Sequence, residues 1–443
     1  MNPSPGLSDI AALLCLVSIV LVPLAIAGLA LINTGLGRSG SASHMMISSL
    51  CIFSVAALVY FACGFAWQGY PGGSAFQFFL AGRGWNWIGS EAFFLRRIDL
   101  DGSAASLTCL LGIVSVGLAG LIPLGAGSDR WRLRAACIST ALLAGWTYPL
   151  FAHWVWGGGW LAQMGALQGF GRGFVDAGGS STIQAVGGLT ALSMAWILGP
   201  RRGKYTAEGM PNAIPGHNGV LVLFGCLLAL IGWIGLNTAG SLLFSSAEPG
   251  VAVRVALNTI LSAATSGLMA AAITRVRFGK PDASLTANGW VGGLAASSAA
   301  CAFVVPAEAV VIGGIAGALV TFSVEWFELR LGVDDPAGAV SVHGVAGLWG
   351  VLAVGLFGSV PPIGELLPGP ANSGQWLAQL VGIATLVGFV LPLTYGLNWL
   401  LNRAYPQRVP AEGERQGMDL YELGAGAYPD FMTHSDEFSQ RNF

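Results

Sequence analysis

Apolar residues run in long blocks along this chain, separated by short polar stretches that hold most of the charges. A bilayer-spanning helix needs about 20 mostly apolar residues. Eleven blocks fit, at 10–32, 45–67, 103–126, 135–157, 181–200, 218–244, 255–274, 285–305, 309–324, 338–358 and 375–401. The pattern predicts an all-α polytopic membrane protein with eleven transmembrane helices. The ninth block is short and is completed by its flanks. Met1–Asp9 has no Lys or Arg, unlike the basic start of a secretory signal, so 10–32 is expected to be a retained first span.

Composition narrows the class further. Of 443 residues, 54% are hydrophobic and 9% charged, against about 25% charged in soluble domains. So few charges do not keep a globule of this size dissolved. A soluble enzyme, a nucleic-acid binder and a disordered hub are excluded. The net charge of -2 implies no polyelectrolyte partner. The 15 Trp and 22 Phe suit interfacial aromatic belts, and the 65 Gly suit close helix packing. Cys15, Cys51, Cys63, Cys109, Cys137, Cys226 and Cys301 lie in or beside apolar runs without a CxxC pair, and read as small apolar residues. Five scattered His without i, i+4 spacing predict no metal site. There is no HExxH, GxSxG or P-loop pattern, so neither an enzyme nor a cofactor is expected.

Basic residues set the orientation. With the N-terminus outside, 15 of the 20 Lys and Arg fall on the cytoplasmic side, including Arg441 in the tail. The positive-inside rule therefore favours an outer N-terminus, a cytoplasmic C-terminus and an odd number of spans. The channel domain is expected to cover 1–401, leaving a polar tail at 402–443 that is too short for catalysis and suits regulation.

Two stretches 159 residues apart resemble each other: DAGGSSTIQAVGGL at 176–189 and DPAGAVSVHGVAGL at 335–348. The first opens span 5, running inward; the second opens span 10, running outward. Equivalent segments of opposite direction mark inverted repeats, whose permeation site lies near the bilayer midplane. The repeats are placed at about 10–200 and 218–358, with an eleventh helix at about 375–401. The alignment pairs Gln184 with His343, each eight residues after an Asp and each followed by small residues. Polar residues at that depth face the bundle interior or a cavity, and the small residues let the two helices approach. A satisfied interhelical hydrogen bond is the plainer reading of a single membrane His; the pairing favours a pore-lining role.

With these residues the chain resembles the ammonium transporter (Amt) family of the Amt/Rh superfamily over nearly its whole length. The ordered motifs are AHWVWGGGWLA at 152–162, GPRRGKY at 199–205, IPGHN at 214–218, GWIGLN at 232–237, DDPAGAVSVHGVAGLWG at 334–350 and GMDLYELGAGAY at 417–428. The resemblance implies a homotrimer with one narrow hydrophobic pore per protomer and ammonium recruitment at the outer mouth. It places Trp156 at the aromatic wall of the recruitment site, where a π face attracts a cation, and Asp176 beside it. Asp176 also reads as a helix N-cap for Ser180, Ser181 and Thr182; the two roles can coexist. The family's serine falls at Ser241 if one residue is inserted, and otherwise at Gly240. Trp233 and His343 match pore-lining positions.

Several positions depart from the family pattern. Gln184 replaces the first of two pore histidines. It can hydrogen-bond His343 but cannot take a proton near neutral pH. The two gate phenylalanines become Leu236 and either Leu111 or Ser115. Gly338 stands for the acidic residue after DDP, and Leu423 for a tail His. The implied function is ammonium or ammonia passage across a bacterial inner membrane, with a PII-type regulator at the tail. The alternative is a poorly conducting ammonium receptor that signals through its tail. His153 is expected to be an interfacial hydrogen-bonding residue, His217 a cap or loop contact, and His44 and His434 cytoplasmic. Glu308 is expected in a solvated outer turn, and Phe76, Phe78, Phe79, Trp85 and Trp87 in an interface-anchoring loop.

Overall fold

The computed structural model describes residues 7–80, 82–245, 248–360 and 374–428; His434, Arg441 and the end of the tail lie outside them. Among the described residues, ten helical stretches are long and apolar enough to cross a membrane. They are Asp9–Leu36, Ser39–Gln68, Ala104–Gly127, Leu133–Gln168, Ser180–Leu198, Gly219–Phe244, Val251–Phe278, Pro306–Leu331, Val340–Phe357 and Gln375–Ala404. The one expected span not among these ten, 285–305, is the helix Ala283–Ala300, rich in Ala, Gly and Ser. We number these eleven in chain order as spans 1–11. The protein is an integral membrane protein.

Span 8 explains why small residues matter. Gly289 and Gly293 of span 8 and Gly313 and Gly317 of span 9 all lie against span 7, at Ser262 and Ser266. The Ser262 hydroxyl donates to the Gly293 carbonyl at 2.9 Å and Ser266 to the Gly289 carbonyl at 2.5 Å. The glycines remove side-chain bulk so that backbones touch, and the serines supply hydrogen bonds where lipid supplies none.

The fold is helical as expected, with one short hairpin added in a loop. The loop after span 2 holds a hairpin, β1 (Ala75–Leu80) antiparallel to β2 (Arg83–Gly89). Its two-residue connection includes Gly82 at φ +74°, the left-handed conformation that tight hairpin turns require. The aromatic residues read as interface anchors lie on these two strands, and Phe78 and Trp85 are cross-strand partners. Phe78 stacks on Trp85, and Trp87 packs on Trp154 of span 4 while its carbonyl accepts the Trp154 indole N–H at 2.7 Å. Alternation was too weak against the apolar background for period two to stand out.

At the other end, polar residues tie the halves together. Arg201, after span 5, makes a two-point contact with Asp334, before span 10: Nε to Oδ2 and Nη2 to Oδ1, both at 2.9 Å. Its Nη1 also meets Asp129 at 3.1 Å. Arg130 is fully buried and donates to the carbonyls of Ser128, Gly199 and Asp334. Burial lowers its guanidinium to about 10, against the pull of Asp334.

The tail docks on the same side. Asp419 accepts the backbone N–H of Ser43 and His44, at 3.2 and 2.7 Å, and so caps span 2 from a distance. Glu422 accepts the N–H of Leu133 at the start of span 4 and lies 2.9 Å from His44 Nε2. His217 meets Tyr428 at 3.0 Å. His44, expected only to be cytoplasmic, and His217, expected to be a cap or loop contact, both meet the tail. Burial works against the Glu422 charge, but hydrogen bonds from His44 and Leu133 hold its carboxyl below the usual value. A depressed carboxyl stabilises docking above its unfolded pKa and loses that contribution as pH falls through the folded pKa. Limited proteolysis of the tail is therefore expected to speed up below about pH 4. The Asp419→Ala variant, which loses about 1 kcal/mol of capping, should show the same cleavage at pH 7. Equal cleavage rates in both proteins at pH 7 would refute the docking.

Candidate functional site

Span 4 is helical from Leu133 but breaks after Val155, and a second helix begins at Trp160. The three glycines between allow the break. A Cβ at Gly157 would collide with the Gln68 carbonyl, and Gly158 has φ +79°. The chain turns there and leaves Trp156 in the wall of a cavity of about 550 Å³. Thr108, Val155, Arg172, Asp176, Phe244 and Glu248 line it too.

Trp156 Nε1 donates to the Asp176 carbonyl at 2.7 Å. Its ring stacks on Phe244, with centroids 4.5 Å apart and an interplanar angle of 9°. One indole face is thus covered by Phe244, a residue the sequence reading missed. The available signal was spacing: Leu236, Gly240 and Phe244 are four apart on one face of span 6.

Asp176 is a cap in full. Oδ1 accepts the N–H of Gly179 and Ser180; Oδ2 accepts those of Ser181 and Thr182 and both their hydroxyls. Six hydrogen bonds use up its lone pairs, so its charge acts on the cavity as a field and not as a ligand. Gly179 at φ +98° precedes a single π-helical turn, Ser180–Ala185, that this cap holds. The counterpart 159 residues later, Asp335, accepts the Val340 N–H at 2.7 Å and precedes the π turn Val340–Val345.

Ser241 is not among the residues that line the cavity. Its hydroxyl lies 3.6 Å from the Cys301 sulphur. The other candidate position, Gly240, rests on the Ala177 carbonyl with no space for a Cβ, so the backbone itself excludes a serine there. Leu111 and Leu236 are fully buried below the cavity.

The two π turns cross. A Cβ on Gly188 would run into the backbone of His343 and Gly344, and one on Gly347 into Ser180 and Ala185. Gly188 and Gly347 are themselves 159 apart, so each half presents the same glycine to the other half's polar residue. The crossing brings Gln184 Oε1 to 2.7 Å from His343 Nδ1, with both side chains buried. The carbonyl oxygen accepts, so Nδ1 carries the proton and Nε2 keeps its lone pair. Gln184 Nε2 is buried without a partner among the described residues. Trp233 lies over the imidazole, centroids 6.5 Å apart at 24°, with its indole N–H donated to Ser298 Oγ at 3.1 Å. His153, by contrast, hydrogen-bonds the Gln68 carbonyl at 2.7 Å, and Glu308 caps span 9 by accepting the Val305 N–H.

Residues 13–428 match the family model described as "Ammonium Transporter Family". The chain is 36% identical to "Ammonium transporter Amt2" of Archaeoglobus fulgidus, covering 98% of this chain and 91% of that protein. It is 32% identical to "Ammonium transporter Amt2" of Haloferax mediterranei, over 91% and 87% of the two chains. Among solved structures, "Sensor Amt Protein" superposes with a TM-score of 0.82 at 28% identity, covering 94% of this chain and 98% of that one. Mep2 of Saccharomyces cerevisiae superposes at 0.75 with 24% identity, over 92% and 90%, which bears on the fold alone.

Proposed function

The chain belongs to the ammonium transporter family, and we propose that it carries ammonium across a bacterial inner membrane from an outer N-terminal face. The observation that supports this most is the buried Gln184–His343 pair at the crossing of two capped half-helices. Such a pair gives a narrow apolar tube one hydrogen-bonding step and no net charge. In this reading the cation gathers in the outer cavity, against the free face of Trp156 and in the field of Asp176. Stripping its hydration to pass Leu111 and Leu236 costs too much for a bare cation, so a proton leaves and NH3 passes. At the crossing, His343 Nε2 accepts an N–H and the Gln184 amide donates to the ammonia lone pair.

Glutamine does not titrate, so a proton cannot alternate between two ring nitrogens here. An ammonium pulse on proteoliposomes is therefore expected to give a saturable, protein-dependent pH change without current. A saturable positive current would overturn neutral passage. Silence in both, with ammonium still bound, would turn the reading to a receptor acting through its tail. Gln184→His, which restores a titratable group, is expected to add a current to the pH change. If current and selectivity both stay as in the parent protein, Gln184 is not what sets the transported species. We further propose that three copies assemble and that a PII-type protein engages the inner face where Asp419 and Glu422 hold the tail.

A further inference from the structure

We propose that the hydroxyls of Ser115 and Tyr148 form a way-station for ammonia beneath the outer cavity; this rests on the transport reading above. Thr108 of span 3 and Val155 of span 4 line the cavity. Ser115 follows Thr108 by seven residues and Tyr148 precedes Val155 by seven, so each shares a helix face with a cavity residue. At 1.5 Å per residue each sits about 10 Å deeper. Leu111 lies between Thr108 and Ser115 on span 3. The two hydroxyls are therefore met after the leucine constriction and not before it.

Both side chains are fully buried, and apart from each other neither hydroxyl has a hydrogen-bond partner among the described residues. The neighbouring Tyr60, whose ring meets Tyr148 edge-on at 6.3 Å, is different: its hydroxyl donates to Gln68 Oε1 at 2.8 Å. A bilayer interior offers no bulk water, so a hydroxyl pair left with unused donor and acceptor capacity there is costly. Such a pair on the pore-facing sides of adjacent spans points to a partner that comes and goes. A hydroxyl donates once and accepts twice. That matches ammonia, which offers three N–H groups and one lone pair, and it does not match a dehydrated cation, which needs charge. Water shares this chemistry and is separated from ammonia by the test.

The test uses the full chain in proteoliposomes, with Ser115→Ala, Tyr148→Phe and the double variant. Each change removes an oxygen and little else. The double variant is expected to lose on the order of tenfold in the rate of the ammonium-driven pH change. The ammonium concentration at half-saturation should stay the same, because the cavity above is untouched. The melting temperature of the double variant in detergent should hold or rise, because both partners are removed together and no buried hydroxyl is left unmatched. An unchanged ammonia rate, as internal water alone would give, overturns the proposal. So does a rate loss accompanied by a lower melting temperature, which a purely structural hydroxyl pair would give. Silence from the unaltered chain would instead sink the transport reading, and this site with it.

Discussion

Asp334→Ala is expected to destabilise the folded protein by about 3–5 kcal/mol, the range for removing one partner of a buried ion pair. The carboxylate is 2% exposed and receives both Nε and Nη2 of Arg201. Without it, Arg201 keeps only Asp129, and the fully buried Arg130 loses its nearest opposite charge. The surface pair Arg277–Glu325 provides the comparison. Glu325→Ala should cost less than about 1 kcal/mol, because solvent screens that pair. Melting temperature in detergent reads both. Similar shifts for the two variants would mean that the buried network contributes no more than a surface contact. The same network sets a pH dependence. Burial raises the Asp334 carboxyl, but hydrogen bonds from Arg201 and the charges of Arg130 and Arg201 outweigh it and hold it below the usual value. Its contribution is therefore complete above about pH 4 and lost as pH falls through the lower folded value. The Asp334→Ala protein should lack this acid limb of the stability curve.

How much of this was legible follows from which signals are local. Span positions were, because a run of apolar residues long enough to cross a bilayer is read off directly; even span 8, built of Ala, Gly and Ser, fell where expected. The Gln184–His343 contact was legible because the internal repeat supplied long-range information that a single helix lacks. Asp176 was readable as a cap from the Ser-Ser-Thr after it, but not as a saturated one, since six hydrogen bonds depend on the π turn. Phe244 was missed because stacking on Trp156 joins residues 88 apart with no motif between them. For His44 only a cytoplasmic place was readable, because its partner Glu422 is 378 residues away. The hairpin was lost for another reason: Gln77 is the one polar residue in β1, too little alternation to stand out from an apolar run.

The crossing itself carries the other large effect. Gly188→Ala is expected to destabilise the protein by about 3 kcal/mol or more, and to abolish most transport in what folds. Overpacking of a tight core usually costs about 1–3 kcal/mol, and here the added methyl meets backbone, which cannot change rotamer. Its Cβ would lie 2.5 Å from the Gly344 Cα and 2.8 Å from the His343 carbonyl carbon. To make room, span 5 and span 10 must separate, and that separation pulls Gln184 from His343. Displacements of about 1 Å at a reacting centre can cost on the order of 100-fold in rate, so flux should fall further than stability alone requires. Gly347→Ala should behave alike, since its Cβ would meet the Ser180 carbonyl at 2.6 Å. Gly344→Ala separates this account from a general intolerance of bulk. It lies in the same crossing, yet its Cβ would find nothing nearer than 3.6 Å, an ordinary contact, and both flux and melting temperature should stay close to those of the parent. Three glycines within four residues of the pore pair then give two failures and one tolerance. Only a crossing in which Gly188 and Gly347 are the points of backbone contact orders them that way.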